Sequence, residues 1–156
     1  MKFEEWLASV PQEFTNDPLW RMEVYRLAVF AADLAWDDVS KLSKDRRTFG
    51  LADQLYRAVG SIGANIAEGY SHRSGRDQAR FYEYALGSTR EARGWYYQGR
   101  HVLSVTVAMH RIRLMTQIAR LLLTMIPAER GYNLKEERSS YEFTDTNLLD
   151  DPPLPI

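Results

Sequence analysis

Between residues 19 and 126 apolar side chains recur every three or four positions, and no proline interrupts those 108 residues. The pattern predicts an all-α chain. Its interruptions divide it into four long helices at about 18–40, 48–67, 74–103 and 105–126. Asp17-Pro18 reads as an N-cap followed by proline at the first helical position. Gly69 reads as the C-cap glycine of the second helix, and Ser74-Gly75-Arg76-Asp77 as a capping-box-like start for the third. The fourth is expected to begin near Ser104 or Thr106 and to end before Pro127. Phe3, Trp6, Leu7 and Val10 suggest a short leading helix that stops at Pro11. The expected architecture is an up-down-up-down four-helix bundle over residues 1–130, with an acidic, flexible tail over 131–156.

The helical faces carry more apolar surface than one bundle needs. On the first long helix Trp20, Val24, Leu27, Ala31 and Leu34 form one stripe, and Tyr25, Val29, Ala32 and Trp36 a second on nearly the opposite side. On the fourth, Ala108, Ile112, Met115, Ala119 and Leu122 merge with Leu114, Ile118, Leu121 and Met125. A bundle helix requires an apolar arc of roughly 100°. The surplus is expected to be buried by self-association, or else by the leading helix or the tail.

The second helix has three faces. Leu51, Leu55, Val59, Ile62 and Ile66 make its core stripe. Ala52, Gly60, Gly63, Ala64 and Ala67 make a strip of small residues. A helical glycine costs roughly 1 kcal/mol relative to alanine, so close packing is expected at Gly60 and Gly63. Arg57, Ser61, Asn65 and Glu68 form a narrow polar stripe. Glu68 stands at the unfavourable end of the helix dipole and is expected to have a cationic or amide partner, either Arg57 or an arginine of the next helix.

Charge alters this picture. The net charge of −1 conceals three blocks. Residues 1–43 carry four Lys/Arg against eight Asp/Glu, residues 44–120 thirteen against six, and residues 121–156 three against seven. A basic middle between acidic ends implies an anionic partner for the centre or intramolecular neutralisation. On the third helix Phe81, Tyr84, Ala85, Ser88, Ala92, Trp95 and Gly99 read as the inner face, and Tyr82, Leu86, Arg90, Arg93, Tyr97 and Arg100 as the outer. Arginines interleaved with aromatics suit phosphate contact and base stacking. His110, Arg113, Gln117 and Arg120 share a polar face on the fourth helix. With Arg73 and Arg76 in the preceding turn, the candidate nucleic-acid-binding residues are Arg73, Arg76, Arg90, Arg93, Tyr97, Arg100, Arg113 and Arg120.

The chemistry of enzymes is missing. With no cysteine, disulfides, thiolate metal sites and cysteine nucleophiles are excluded. A di-metal bundle needs Glu-x-x-His pairs, but Gly69, Gln98 and Val107 stand three residues before the three histidines. Neither a phosphate-binding glycine loop nor a strained serine turn beside a histidine occurs. Asn65 and Glu68 read as a structural lock, and no cofactor or metal is expected. The acidic start MKFEEWLAS differs from a signal peptide, and no apolar run approaches a membrane span, so a cytoplasmic chain without a membrane role is expected.

The run from Gln54 to Gly69, QLYRAVGSIGANIAEG, resembles the signature of the four-helix-bundle family named after 23S rRNA intervening sequences. That family includes the accessory variability determinant of diversity-generating retroelements. Arg57, Asn65, Glu68 and Gly69 fall at its motif positions, as do Ser74, Asp77, Arg80-Phe81, Ala85, Gly87-Ser88 and Glu91 downstream and Tyr25-Arg26-Leu27-Ala28 and Phe49-Gly50-Leu51 upstream. The resemblance spans about residues 20–125. The chain departs from it at His72, where an arginine is usual, at Gly63 in place of a proline, and at Tyr56 in place of the first of two arginines. The resemblance implies a homopentamer and, in the retroelement member, a non-catalytic protein that binds nucleic acid and a reverse transcriptase. The function expected is therefore an oligomeric, non-catalytic binder of RNA or DNA. The alternative is an oligomeric protein-interaction scaffold with no nucleic-acid role.

Overall fold

The computed structural model describes residues 2–130 and 148–156. Among the described residues there are six α-helices and no strand. Two are short, α1 (Phe3–Ser9) and α2 (Gln12–Thr15); four are long, α3 (Glu23–Leu42), α4 (Phe49–Ser71), α5 (Gly75–Leu103) and α6 (Val105–Arg130). A 3₁₀ turn, Pro18–Arg21, precedes α3. No described helix is long and apolar enough to cross a membrane.

The helix ends show where local sequence rules applied and where packing overrode them. Asp17 does cap, accepting the Leu19 N–H at 2.9 Å, but what it caps is the 3₁₀ turn. The extended backbone of Met22 then breaks the chain, so α3 begins at 23, not 18. Ser74 caps α5 by accepting from the Asp77 N–H at 3.4 Å. The link from α5 to α6 is Ser104 alone, held at φ 86°, and its Oγ accepts from the Val107 N–H at 3.3 Å.

Two expected helix stops are not stops. Gly69 lies inside α4, where a Cβ would come within 2.8 Å of the Tyr82 ring and 3.1 Å of the Gln78 carbonyl. The glycine permits a close crossing of α4 and α5. Pro127 lies inside α6, which continues to Arg130; so near the helix end its missing N–H forfeits one hydrogen bond. At that end the Glu129 carbonyl reaches α5, and a Cβ at Gly75 would sit 2.6 Å from it.

The core is filled by Leu27, Phe30 and Leu34 of α3, Leu55, Ile62 and Ile66 of α4, Tyr96 and Leu103 of α5, and Leu114, Met115 and Ile118 of α6. Contacts between helix ends set the directions. Gly99, late in α5, meets Leu42 at the end of α3 and Leu51 at the start of α4, and Gly63, late in α4, meets Tyr25 and Ala28 early in α3. The leading helix covers Phe30 and Trp20, not the second stripe of α3. Phe3 and Trp6 pack on Phe30 with ring centroids 5.0 and 5.1 Å away, and Trp6 Nε1 donates to Asp33 at 2.8 Å. Tyr25, Val29 and Ala32 remain half-buried, and Trp36 is 62% exposed.

Of the residues expected to form a tail, 131–147 lie outside the described residues. The remainder, 148–156, does not hang free. It is hydrogen-bonded to α1 and α6 through backbone carbonyls that find buried donors.

Candidate nucleic-acid interface

The α5 helix buries Tyr82, Ala85, Leu86, Thr89, Ala92, Tyr96, Gly99 and Leu103. Ala85 is inside as expected, but the sequence-based assignment of the faces is otherwise altered in the first half. Tyr82 and Leu86, expected outside, are inside, and Tyr84, expected inside, is 51% exposed. Close approach at Gly69 is the cause: the Tyr82 ring fills the space a side chain would have taken. Burial pushes its phenol up to about 12, with Glu129 and Tyr70 adding to the shift.

From Arg90 onward the expected outer face stands. Arg90 and Tyr97 are exposed, and Arg93 and Arg100 flank them, half-buried. The Arg100 guanidinium lies 4.0 Å from the Tyr97 ring centroid, and its Nη1 donates to the Tyr97 carbonyl at 2.7 Å. Arg93 reaches across to α6, where Nη1 lies 3.4 Å from Thr116 Oγ1. Arg90 is one turn before Arg93, and Arg120 is one turn after Thr116. Because α5 and α6 run antiparallel, the two arginines come to the same level.

Thr116 also borders a cavity of about 320 Å³ lined by Arg113, Gln117 and Arg120 of α6. Six of the eight candidate residues thus gather on the α5–α6 side, while Arg73 and Arg76 lie exposed at the α4–α5 turn. His110 is not on the polar face expected for it; it is 7% exposed. Glu4, Glu23 and Asp150, from both acidic ends of the sequence, line the same cavity. Acidic and basic residues thus share this cavity on the α6 side, and the exposed arginines of the α5–α6 group are Arg90 of α5 and Arg120 of α6.

The residues of the signature run form a seam between α4 and α5. Asn65 Nδ2 donates to the Ser61 carbonyl at 2.9 Å and to Ser61 Oγ at 3.0 Å, and Ser61 Oγ is 2.8 Å from Ser88 Oγ. Glu91 accepts from Trp95 Nε1 at 3.2 Å. The partner of Glu68 is neither Arg57 nor an arginine of the next helix. It is His72, 3.4 Å away one turn further on, while Arg57 pairs with Asp53. Gly87 lies on exposed α5 surface, where a Cβ would meet nothing within 4 Å, and the same holds at Gly60 and Gly94. Close packing, expected at Gly60, is absent there, and even Gly63 has only ordinary contacts at 3.8 and 3.9 Å.

A buried polar cluster escaped the reading of the sequence. Arg111 donates to Asp38 through Nε at 2.8 Å and Nη2 at 3.1 Å, and Tyr96 Oη donates to Asp38 at 3.0 Å. All three side chains are fully buried. Burial raises the Asp38 pKa, against the lowering effect of Arg111 and Tyr96, and burial beside Asp38 raises Tyr96 well above its ordinary value. The signal was present: Asp38 continues the Val24–Leu27–Ala31–Leu34 stripe, and Arg111 sits between Ala108 and Met115 on the core side of α6. A charged residue at a core position requires a buried partner.

A family model described as 23S rRNA-intervening sequence protein matches residues 21–124. Comparison with the curated proteins gives no match. Among solved structures, one from Bacteroides thetaiotaomicron VPI-5482 is similar, with a TM-score of 0.62. It is described as a protein with unknown function from the S23 ribosomal protein family, and the match covers 66% of this chain and 97% of that one. At 23% identity the likeness concerns the fold.

Proposed function

The chain belongs to the 23S rRNA-intervening sequence protein family, and from its α5–α6 side we propose that it is a non-catalytic, self-associating accessory protein that binds nucleic acid. One observation carries this reading: Arg90, Arg93, Tyr97 and Arg100 form a continuous flank of α5, with a guanidinium stacked on a half-exposed aromatic ring. Guanidinium groups meet phosphate oxygens in pairs, and an exposed tyrosine offers a face to a base. Arg93 extends the flank to α6, where Arg113 and Arg120 follow.

Self-association is supported by the opposite part of the bundle. Trp36 of α3 is 62% exposed, and Phe49 and Tyr56 of α4 are 67% and 47% exposed. Trp36 and Tyr56 meet edge to face at 6.2 Å. Exposed aromatics of this size, beside the low surface at Gly60, suit a second copy better than water. Repetition of the α5 flank around an oligomer would strengthen weak contacts through multivalency. A pentamer as the oligomer, and a reverse transcriptase as partner, come to the proposal from the family resemblance; neighbouring genes that encode a reverse transcriptase and a near-repeat template would support the latter.

The same aromatic patch supports the second reading, a scaffold for proteins alone. Salt-titrated retention of an oligonucleotide separates the two. A nucleic-acid binder loses affinity with a log–log slope of about −0.7 to −0.9 per phosphate neutralised. A scaffold shows no retention at low ionic strength.

A further inference from the structure

Residues 148–156 are pinned to the bundle by three buried groups and, at the end, by Lys41 on the surface. The Phe3 N–H donates to the Leu149 carbonyl at 2.9 Å, His110 Nε2 donates to the Leu148 carbonyl at 2.6 Å, and Arg111 Nη2 donates to the Pro153 carbonyl at 2.9 Å. Lys41 Nζ donates to the Ile156 carbonyl. A carbonyl can only accept, so His110 carries its proton on Nε2, and its Nδ1 accepts from Arg111 Nη1 at 2.8 Å. Arg111 is in turn fixed by both oxygens of Asp38. These pins stand on either side of Asp150 and hold it at the rim of the cavity that contains Arg113 and Arg120.

Glu4, in the first turn of α1, lines the same cavity, and α1 is tied to this C-terminal segment by the Phe3–Leu149 hydrogen bond. Glu4 and Asp150 both lie outside the residues 21–124 that the family model matches. These two segments outside the match thus meet, and they place Glu4 and Asp150 on the cavity that Arg113 and Arg120 also line. A carboxylate held there attracts a guanidinium and repels an approaching phosphate.

We propose that α1 and residues 148–156 form an autoinhibitory cover, in which Glu4 and Asp150 compete with nucleic-acid phosphate for Arg113 and Arg120. The proposal rests on the nucleic-acid reading given above. Backbone pins set the position of Asp150, so neutralising its side chain leaves the cover in place and removes only the competing charge.

The test uses the full chain, an E4Q/D150N variant, and E4Q/D150N in an R113A/R120A background. Each is titrated with a fluorescent single-stranded oligodeoxynucleotide at about 50 mM salt. The E4Q/D150N variant is expected to bind about threefold to tenfold more tightly than the full chain, with unchanged helicity by circular dichroism. In the R113A/R120A background the gain is expected to vanish. An unchanged affinity for E4Q/D150N, or an equal gain without Arg113 and Arg120, overturns the cover. An R90E/R93E/R100E variant of the full chain separates this failure from that of the parent reading. If the full chain binds and that variant does not, the nucleic-acid reading stands whatever the outcome at Glu4 and Asp150. If no form binds, both fall.

Discussion

Arg111 grips Asp38 with two hydrogen bonds, of 2.8 and 3.1 Å, and neither side chain has any exposed surface. The pair joins the last turns of α3 to the first turns of α6, and Tyr96 brings α5 to the same point. A pair of this kind adds little net stability over a well-packed apolar alternative, because both charges have left water. Half of it is much worse than none.

Arg111→Met is therefore expected to destabilise the fold by about 3–5 kcal/mol, since Asp38 would remain buried without its cation. Adding Asp38→Leu should recover a large part of that loss, leaving about 1–3 kcal/mol for the unpartnered Tyr96 hydroxyl. Urea unfolding of the single and double variants measures the difference. A double variant no more stable than the single would show that the charges are not the source of the cost.

The glycines of α4 and α5 should divide into two classes. At Gly69 a Cβ would lie 2.8 Å from the Tyr82 ring and 3.1 Å from a backbone carbonyl, so Gly69→Ala should cost about 1–3 kcal/mol. At Gly87 and Gly94 a Cβ would meet nothing, and alanine should stabilise the helix by about 1 kcal/mol at each. Thermal unfolding of the three alanine variants tests the division.

Much of the fold was legible because helical spacing reports burial directly. The stripe from Val24 to Leu34 and the core positions Leu55, Ile62 and Ile66 lie where their periodicity placed them. The faces of α5 were harder to read. Tyr82 and Leu86 are as apolar as Phe81 and Tyr84, so spacing alone allowed either pair inside. The choice was made by another helix, through the missing side chain of Gly69. Asp38 and Arg111 were hidden for a related reason: 73 residues separate them, and neither explains the other until α3 and α6 are side by side. The candidate site was legible as an arginine–tyrosine pattern on α5. Its continuation to α6 through Thr116, and the acidic residues that share a cavity with Arg113 and Arg120, depend on tertiary contacts.

Tyr82 should titrate apart from the exposed tyrosines, with a pKa of about 12 against an ordinary 10.0. Its raised folded value means that the unfolded chain ionises first as pH increases. The stability that the neutral phenol contributes is complete below pH 10 and is lost as pH rises toward 12. Comparison of unfolding midpoints across that window for the native chain and Tyr82→Phe should show a steeper fall for the native chain.

Trp36→Glu is expected to reduce the oligomer without unfolding the bundle, because the side chain is 62% exposed and contacts Tyr56 on the surface. Light scattering should report a smaller mass with helicity retained. An unchanged mass would remove the α3–α4 aromatics from the proposed interface.

The central claim is that the α5 flank binds nucleic-acid phosphate, and salt-titrated oligonucleotide binding tests it most directly. The native chain should bind at low ionic strength and lose affinity steeply as salt rises, while R90E/R93E/R100E should fail to bind at an unchanged oligomeric mass. Binding that persists in the charge-reversed chain, or no binding by the native chain at low salt, would contradict the claim.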